Sequence, residues 1–260
     1  MREVKHVSRD GVRLAYADGG EGDPPILLVH GMLGTHRLMA PLFDHFVDRH
    51  HVVSIDLRGH GDSDKPEGDY DNEVFAQDFL ALFDQLLLHR PVVVGHSFGG
   101  SVLLHLATEH PNAVRGLVLL DSGVRSAAAR VAELGPPSQA SESAPTLSSD
   151  FFLTRLFGPD DPPAIRERCI EEIKLVPTYA SSAMQRTVVG FDAAVAAARC
   201  HVPALFILAD KPFTDRDSLD RLGPNWRVGK VVGSGHFIQL VVPNQVNAMI
   251  DRFLEMLPVA

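Results

Sequence analysis

The sequence has little cysteine and no recognisable metal-binding spacing. Cys169 and Cys200 are the two cysteines among its 260 residues, and no CxxC or Cys/His pattern surrounds them. We therefore expect two ordinary buried thiols in a reducing, cytoplasmic compartment. We also expect that neither a metal ion nor another cofactor takes part in the function.

Long apolar runs and clusters of basic residues are missing as well. No apolar run reaches about 18 residues, which argues against a transmembrane helix, and charges scattered through the first 23 residues argue against a secretory signal. A formal net charge of -9 without a Lys/Arg run argues against nucleic acid or a membrane surface as partner. A small, largely uncharged molecule is the expected partner, and no pattern indicates an oligomeric state.

Short runs of Val, Ile and Leu do recur along the chain. Most are nearly continuous rather than alternating, which is typical of parallel strands buried on both faces. They occupy residues 25–30, 51–56, 91–96, 116–121, 203–210 and 226–232. Segments with helical spacing lie between them, at 72–88, 99–109 and 243–257. This alternation predicts an α/β protein with a mostly parallel, doubly wound sheet, and Asp10-Gly11 predicts a hairpin that caps one edge.

The alternation stops between Ser122 and about His201. Residues 126–150 are so rich in Ala, Ser and Pro that they indicate a mobile linker or a loosely ordered edge. Short helices are expected at 151–157, 163–175 and 178–198. We therefore predict a core of residues 1–122 and 201–260, with a helical cap of residues 123–200 over the carboxyl ends of the strands, where open α/β sheets bind ligands.

Ser97 stands in the pattern Gly95-x-Ser97-x-Gly99, between the apolar run "PVVVGH" and a segment with one apolar helical face. A sharp turn from strand to helix needs glycines, because side chains at those positions would collide with neighbouring elements. The turn would expose the serine at a helix N-terminus, where developing negative charge is favoured. Ser97 is therefore the candidate nucleophile.

A serine needs a base to remove its proton. Among 13 histidines, His236 has the best context, because it lies in a glycine-bounded loop between the last strand-like run and the terminal helix. That loop should share a sheet edge with Ser97. His96 should point elsewhere from the tight turn, while His105 and His110 should lie on the surface of the next helix.

Backbone amides near Ser97 could stabilise a tetrahedral oxyanion. Phe98 immediately follows the serine and supplies one amide. The stretch "HGMLG" at 30–34 follows a strand and can supply a second from Met32.

Five stretches in order, "LLVHGMLG", "VVSIDLRGHGDSDKP", "VVVGHSFGGSVLLHLATEHP", "LVLLDSGVR" and "GSGHFIQLVVPNQV", resemble α/β-hydrolase fold proteins of the esterase, lipase and C–C hydrolase type. The resemblance covers nearly the whole chain. It implies mainly structural roles for part of the second stretch, namely Asp56, Arg58, Gly59, His60, Gly61 and Ser63. The serine distinguishes the chain from haloalkane dehalogenases and epoxide hydrolases, which use aspartate.

The acid that should orient His236 is not identified by this resemblance. Its usual position, after the "PALFIL" strand, falls on Pro212, which has no carboxylate. Asp210 could serve if the loop is shorter than usual, and Asp215 lies later in the same turn. Asp121, at the end of "GLVLLD", is the other candidate, since some family members carry the acid there.

These residues predict a cofactor-independent serine hydrolase that cleaves a small, largely apolar carboxylic ester through an acyl-enzyme. A lactonase, a thioesterase, a C–C bond hydrolase and a haloperoxidase-like enzyme would use the same residues. A ligand-binding protein with weak turnover is the alternative from another class, suggested by Pro212. Apolar residues of the predicted cap would line the pocket or pack on the sheet: Phe151, Phe152, Leu153, Leu156, Phe157, Val188, Val189 and Phe191.

Overall fold

The computed structural model describes residues 2–32, 34–134, 155–173 and 175–258. Within these ranges eight strands form a sheet in the order β1-β2-β4-β3-β5-β6-β7-β8. They are β1 (Lys5–Arg9), β2 (Val12–Gly19), β3 (Ile26–Val29), β4 (Val52–Ile55), β5 (Val92–His96), β6 (Gly116–Leu120), β7 (Ala204–Leu208) and β8 (Trp226–Lys230). Strands β3 to β8 are parallel, and β2 joins β4 antiparallel. The predicted mostly parallel sheet is confirmed, with each of the six apolar runs forming a strand.

The predicted hairpin at the amino-terminal edge is also confirmed. Strands β1 and β2 pair antiparallel, with Arg9 opposite Val12. The two residues between them, Asp10 and Gly11, have φ angles of 51° and 80°. Positive φ at both positions matches the right-handed twist of the flanking strands, which is why Asp-Gly suits this turn.

Helices cover both faces of the sheet. They are α1 (Ala40–Phe46), α2 (Asn72–Gln85), α3 (Phe98–Glu109), α4 (Ala127–Leu134), α5 (Pro163–Ile173), α6 (Thr178–Gly190), α7 (Ala193–Arg199), α8 (Arg216–Leu219), α9 (Ile238–Val241) and α10 (Pro243–Met256). Strands β3 to β7 are buried along their whole length. Apolar side chains from α2, α3 and α7 pack on one face, while α1 and α10 supply much of the packing on the other.

The stretch between β6 and β7 differs from the sequence prediction in two places. Helix α4 occupies residues 127–134, within the Ala/Ser/Pro-rich stretch whose composition indicates a mobile linker or a loosely ordered edge. The expected helix at 178–198 is two helices, α6 and α7, because Asp192 accepts a hydrogen bond from the Val195 amide (3.0 Å) and starts a new helix. Residues 135–150, and residues 151–154 of another expected helix, lie outside the described residues.

We call residues 123–200 the β6–β7 segment. Besides its apolar packing, the segment donates two hydroxyl hydrogen bonds from α6 to main-chain carbonyls elsewhere in the protein. The hydroxyl of Thr187 donates to the carbonyl of Tyr70 (2.8 Å), and that of Tyr179 donates to the carbonyl of Lys65. The division into a core and a separate cap stays a prediction.

The turn after β4 is organised around the buried carboxylate of Asp56. It accepts hydrogen bonds from the amide of His36 (2.6 Å), the His36 imidazole (2.9 Å) and the amide of Asp62 (2.9 Å). Burial alone would raise the pKa of Asp56, but these bonds and the neighbouring histidines hold it below its usual range. Gly61 is required here, because a Cβ would lie 2.2 Å from an Asp56 oxygen. The Ser63 hydroxyl donates to the Asp56 carbonyl (2.6 Å).

A buried ion pair joins this turn to α2. Two Arg58 nitrogens, Nε and Nη2, donate to the Asp78 carboxylate (2.6 and 2.7 Å), and Arg9 of β1 adds a third bond (2.8 Å). The Asp78 side chain is 3% exposed. Such a pair holds the turn after β4, α2 and β1 in one arrangement, because burial of either charge without the other is strongly unfavourable.

Replacing Asp78 by alanine should therefore be strongly destabilising. Arg58 would be left buried without its partner, and we expect a loss of about 3–5 kcal/mol in the free energy of unfolding. Urea unfolding measures it. Asp220→Ala is the control, because Asp220 makes an exposed pair with Arg216, and such pairs contribute little. Equal effects of the two substitutions would contradict the prediction.

Three fully buried histidines are held neutral by the fold. Burial lowers the pKa of His30 and of His96, and it lowers the pKa of His60 to about 3. The His30 hydrogen bonds agree with a neutral ring: Nδ1–H donates to the Gly31 carbonyl (2.7 Å), and Nε2 accepts from the Leu57 amide (3.0 Å). Protonation of these rings would place charge in the desolvated core.

The protein should lose stability in mild acid. Below about pH 6.5, the ordinary pKa of histidine, the unfolded chain binds protons that the folded protein excludes, so the free energy of unfolding falls as the pH is lowered. Urea unfolding at pH 7 and pH 5 checks this. His60→Gln should reduce the difference between the two pH values, while substitution of the exposed His201 should not. Equal wild-type stability at both pH values would contradict the prediction.

Candidate active site

Ser97 occupies the turn between β5 and α3 in a strained conformation. Its φ and ψ are 52° and -117°, in a region that non-glycine residues rarely adopt. The amide of Ser97 donates to the carbonyl of Leu120 at the end of β6 (3.0 Å). Ser97 is partly buried and directly precedes the first turn of α3.

The glycines around Ser97 are required by close contacts between backbone segments. A Cβ at Gly95 would lie 2.6 Å from the amide nitrogen of Gly100, and one at Gly99 would lie 2.3 Å from the carbonyl oxygen of His30. The predicted reason for the Gly95-x-Ser97-x-Gly99 pattern is confirmed. Strand, turn and helix are packed too tightly for side chains at these positions.

His236 and Asp121 form a buried hydrogen-bonded pair. Nδ1 of His236 lies 2.7 Å from Oδ2 of Asp121, and their side chains are 5% and 0% exposed. The second Asp121 oxygen accepts from the amide of Ala209 (3.2 Å). Asp121 directly follows β6 and His236 lies in the loop after β8, so the pair joins two loops at the carboxyl ends of parallel strands.

The other two candidate acids contact different groups. Asp210 is exposed, and its Oδ2 accepts hydrogen bonds from the amides of Gly233 (2.7 Å) and Ser234 (3.3 Å). Asp215 accepts from the Ser218 amide (2.8 Å) at the start of α8. Of the three sequence candidates, the structure brings Asp121 to the His236 imidazole.

His96 contacts His236, which sequence reasoning did not anticipate. Nε2–H of His96 donates to the carbonyl of His236 (3.0 Å), and the two rings are 4.5 Å apart. The low pKa of buried His96 keeps it neutral, so it does not repel a protonated His236. His105 and His110 lie 2.9 and 3.7 Å from Glu73, at the end of α3 away from this loop.

The Phe98 amide is next to the serine in the chain, and the loop that carries the Met32 amide comes close to Ser97. Phe98 is the first residue of α3, and its amide is one of those that a helix leaves without an intrahelical acceptor. The loop after β3 approaches from the other side, since a Cβ at Gly31 would lie 3.1 Å from the Cβ of Ser97. Met32 follows in that loop and is partly buried.

An aromatic wall borders His236. The ring of Phe213 lies 4.6 Å from the imidazole in an edge arrangement, and Phe157 stacks on Phe237 at 5.3 Å. Leu156 is buried in the same cluster. Phe213 follows β7 in a loop with no periodic pattern, which explains why the sequence did not reveal its position.

The other apolar candidates of the predicted cap divide into two groups. Val189 is buried, while Val188 and Phe191 pack against the apolar cluster on the α2 and α3 face of the sheet. Residues 151–153 lie outside the described residues.

A groove of about 550 Å³ opens beside Phe213. Its walls carry two arginines and two carboxylates that pair with one another. Arg125 contacts Glu133 and Asp215, and Arg155 also contacts Glu133. These paired groups leave the groove without a marked excess of one charge.

Metal-binding clusters and membrane-spanning helices are absent from the residues that the structure describes. Within the described ranges, no group of three or more His, Cys, Asp or Glu side chains is arranged to hold a metal ion. No helix in those ranges is long and apolar enough to cross a membrane. The two cysteines are free and buried, and burial raises the pKa of Cys169 to about 12.

Known proteins share both the sequence pattern and the architecture. Residues 24–152 match a family described as alpha/beta hydrolase fold. The 2-(acetamidomethylene)succinate hydrolase of Mesorhizobium japonicum is 34% identical over 110 residues, covering 42% of this chain and 39% of that protein. The chain spans less than half the length of the first curated relatives that it matches.

Two solved structures superpose over nearly the whole chain. The enol-lactonase of Burkholderia xenovorans LB400 has a TM-score of 0.83 and 22% identity, covering 96% of this chain and 100% of the other. A thermophilic esterase of Thermogutta terrifontis has a TM-score of 0.84 and 22% identity, covering 97% and 98%. The chain has the α/β-hydrolase fold.

Gly95→Ala should test the packing that holds Ser97 in place. The new Cβ would meet the backbone of Gly100, and we expect a loss of about 1–3 kcal/mol in the free energy of unfolding. Gly190→Ala is the matched control, because a Cβ there meets nothing within 4 Å. Urea unfolding compares them, and an unaffected Gly95→Ala variant would argue against the tight turn.

Proposed function

We propose that the protein is a serine hydrolase that cleaves small, largely apolar carboxylic esters without a cofactor. The observation that carries this proposal is the buried hydrogen bond between His236 and Asp121 (2.7 Å), at the sheet edge where the strained turn holds Ser97. A poor nucleophile, a base and a carboxylate that orients the base are what acyl transfer to serine requires.

Asp121 would set the protonation state of the base. An ionised carboxylate at Nδ1 favours the tautomer with the proton on that nitrogen, which leaves Nε2 free to accept the Ser97 proton. As Ser97 attacks the ester carbonyl, His236 becomes a cation, and Asp121 stabilises it. His236 then donates the proton to the departing alcohol.

The oxyanion would be stabilised by backbone amides. The Phe98 amide at the start of α3 and the Met32 amide in the β3 loop would donate to the carbonyl oxygen as it gains charge, aided by the helix dipole. Water, deprotonated by His236, would then attack the acyl-enzyme carbonyl. The acid product leaves, and Ser97 regains its proton from His236.

The surroundings of His236 favour an uncharged, apolar substrate. Phe213, Phe157 and Phe237 supply an apolar wall, and the nearby groove has no marked excess of charge. The similarity to an esterase and an enol-lactonase supports a carboxylic ester, open or cyclic, as the cleaved group. The similarity to a 2-(acetamidomethylene)succinate hydrolase leaves other acyl substrates as alternatives for the same residues.

Hydrolysis of p-nitrophenyl esters with C2 to C12 acyl chains tests the proposal. Wild type should turn over short chains best, and Ser97→Ala should abolish turnover. Asp121→Asn should lower kcat by about 10³- to 10⁴-fold, because the base loses its orienting charge. Asp210→Asn is the matched control and should have a much smaller effect, since its carboxylate bonds to backbone amides.

Several outcomes would contradict the proposal. A larger loss in Asp210→Asn than in Asp121→Asn, with both variants folded, would assign the acid differently. Equal inactivity of wild type and Ser97→Ala on every ester would rule out the esterase activity. Stoichiometric labelling of Ser97 by a fluorophosphonate without ester turnover would favour a ligand-binding protein.

A further inference from the structure

The loop that carries His236 is held by its backbone amides from two sides. The amides of Gly233 and Ser234 donate to Asp210, which follows β7. The next two amides donate to the β6–β7 segment: that of Gly235 to Asp161 and that of His236 to the carbonyl of Leu156. Two of these four hydrogen bonds therefore come from the β6–β7 segment, and the other two come from the residue Asp210 after β7.

Asp161 links the two backbones directly. Its Oδ1 accepts from the Gly235 amide (2.8 Å), and its Oδ2 accepts from the Gly158 amide (2.9 Å). Hydrogen bonds to an ionised carboxylate are shorter and stronger than those between neutral groups. One side chain thus fixes residues 156–161 and the His236 loop relative to each other.

The contact is also closely packed. A Cβ at Gly235 would lie 2.4 Å from the Gly158 amide nitrogen and 2.5 Å from the Asp161 carboxylate. The His236 amide bonds to the Leu156 carbonyl at 2.9 Å. These distances leave no room for the loop to move toward the segment, and the two bonds oppose movement away from it.

The base itself depends on this anchor. Asp121 fixes one ring nitrogen of His236, and His96 holds its carbonyl, but both lie on the sheet side. The amide side is held by residues 156–161. A displaced base costs catalysis heavily, since an error of about 1 Å can lower a rate about 10²-fold.

We propose that Asp161 is a positioning residue for His236. Through Asp161, the β6–β7 segment must be hydrogen-bonded to the His236 loop before Ser97 can be activated. This proposal rests on the hydrolase function proposed above. It makes hydrolysis sensitive to any movement of residues 156–161, because Asp161 acts through the backbone of the His236 loop and not on the reacting atoms.

Asp161→Ala is the primary test, and Asp160→Ala is its matched control, because Asp160 is the neighbouring, exposed carboxylate. On a short p-nitrophenyl ester, Asp161→Ala should lower kcat about 10- to 100-fold. KM should change little, since acylation and deacylation both use His236. The rate of fluorophosphonate labelling of Ser97 should fall in parallel. Asp160→Ala should match wild type. All rates are expressed per amount of folded enzyme.

Amide hydrogen exchange supplies a readout that does not need activity. The amides of Gly235 and His236 should exchange faster in Asp161→Ala than in Asp160→Ala, while the Gly233 amide, bonded to Asp210, should change less. If wild type hydrolyses no ester, the proposed function fails, yet exchange still tests whether Asp161 holds the loop.

A second variant reaches the same contact without removing a charge. Gly235→Ala should lower kcat and speed exchange at His236, because the added methyl separates the two backbones. The proposal is overturned if Asp161→Ala keeps wild-type kcat, or if its kcat loss is matched by Asp160→Ala. Unchanged exchange at both amides would likewise overturn it.

Discussion

One hydrogen bond between two buried side chains, His236 and Asp121, governs the arrangement of the candidate site. It joins residues 115 positions apart, and it demands that the loops after β6 and β8 meet. A carboxylate that is fully buried is tolerated only when its oxygens are bonded. Asp121 meets this condition with the imidazole on one oxygen and the Ala209 amide on the other, so the pair and the sheet edge stabilise each other.

The strained turn at Ser97 depends on the same sheet edge. A positive φ at a non-glycine residue costs free energy and persists only where surrounding contacts require it. Here the Leu120 carbonyl holds the Ser97 amide, and backbone packing at Gly95 and Gly99 leaves no space for a relaxed turn. Ser97 and Asp121 therefore both depend on the alignment of β5 with β6, which brings the proposed nucleophile and the proposed acid to the same sheet edge.

Much of the fold was predictable because its signals are local. Six apolar runs became strands, and Asp10-Gly11 became the hairpin turn. The helix break at Asp192 was missed, since a single capping side chain decided it within an otherwise continuous helical pattern. Helix α4 was missed for a related reason: an Ala- and Ser-rich composition favours disorder on average, whereas packing of a short amphipathic helix depends on neighbours far along the chain.

By itself, the sequence determined the α/β architecture, the serine turn and the loop of His236, because strand burial, glycine spacing and helix periodicity act over a few residues. The tertiary structure decided which aspartate meets the imidazole. Asp121 and Asp210 both follow parallel strands at the same edge, so spacing could not separate them. Asp210 instead accepts hydrogen bonds from amides of the His236 loop, and Asp161 of the β6–β7 segment bonds to the same loop. Sequence spacing does not reveal these contacts, because they form only when distant segments pack together.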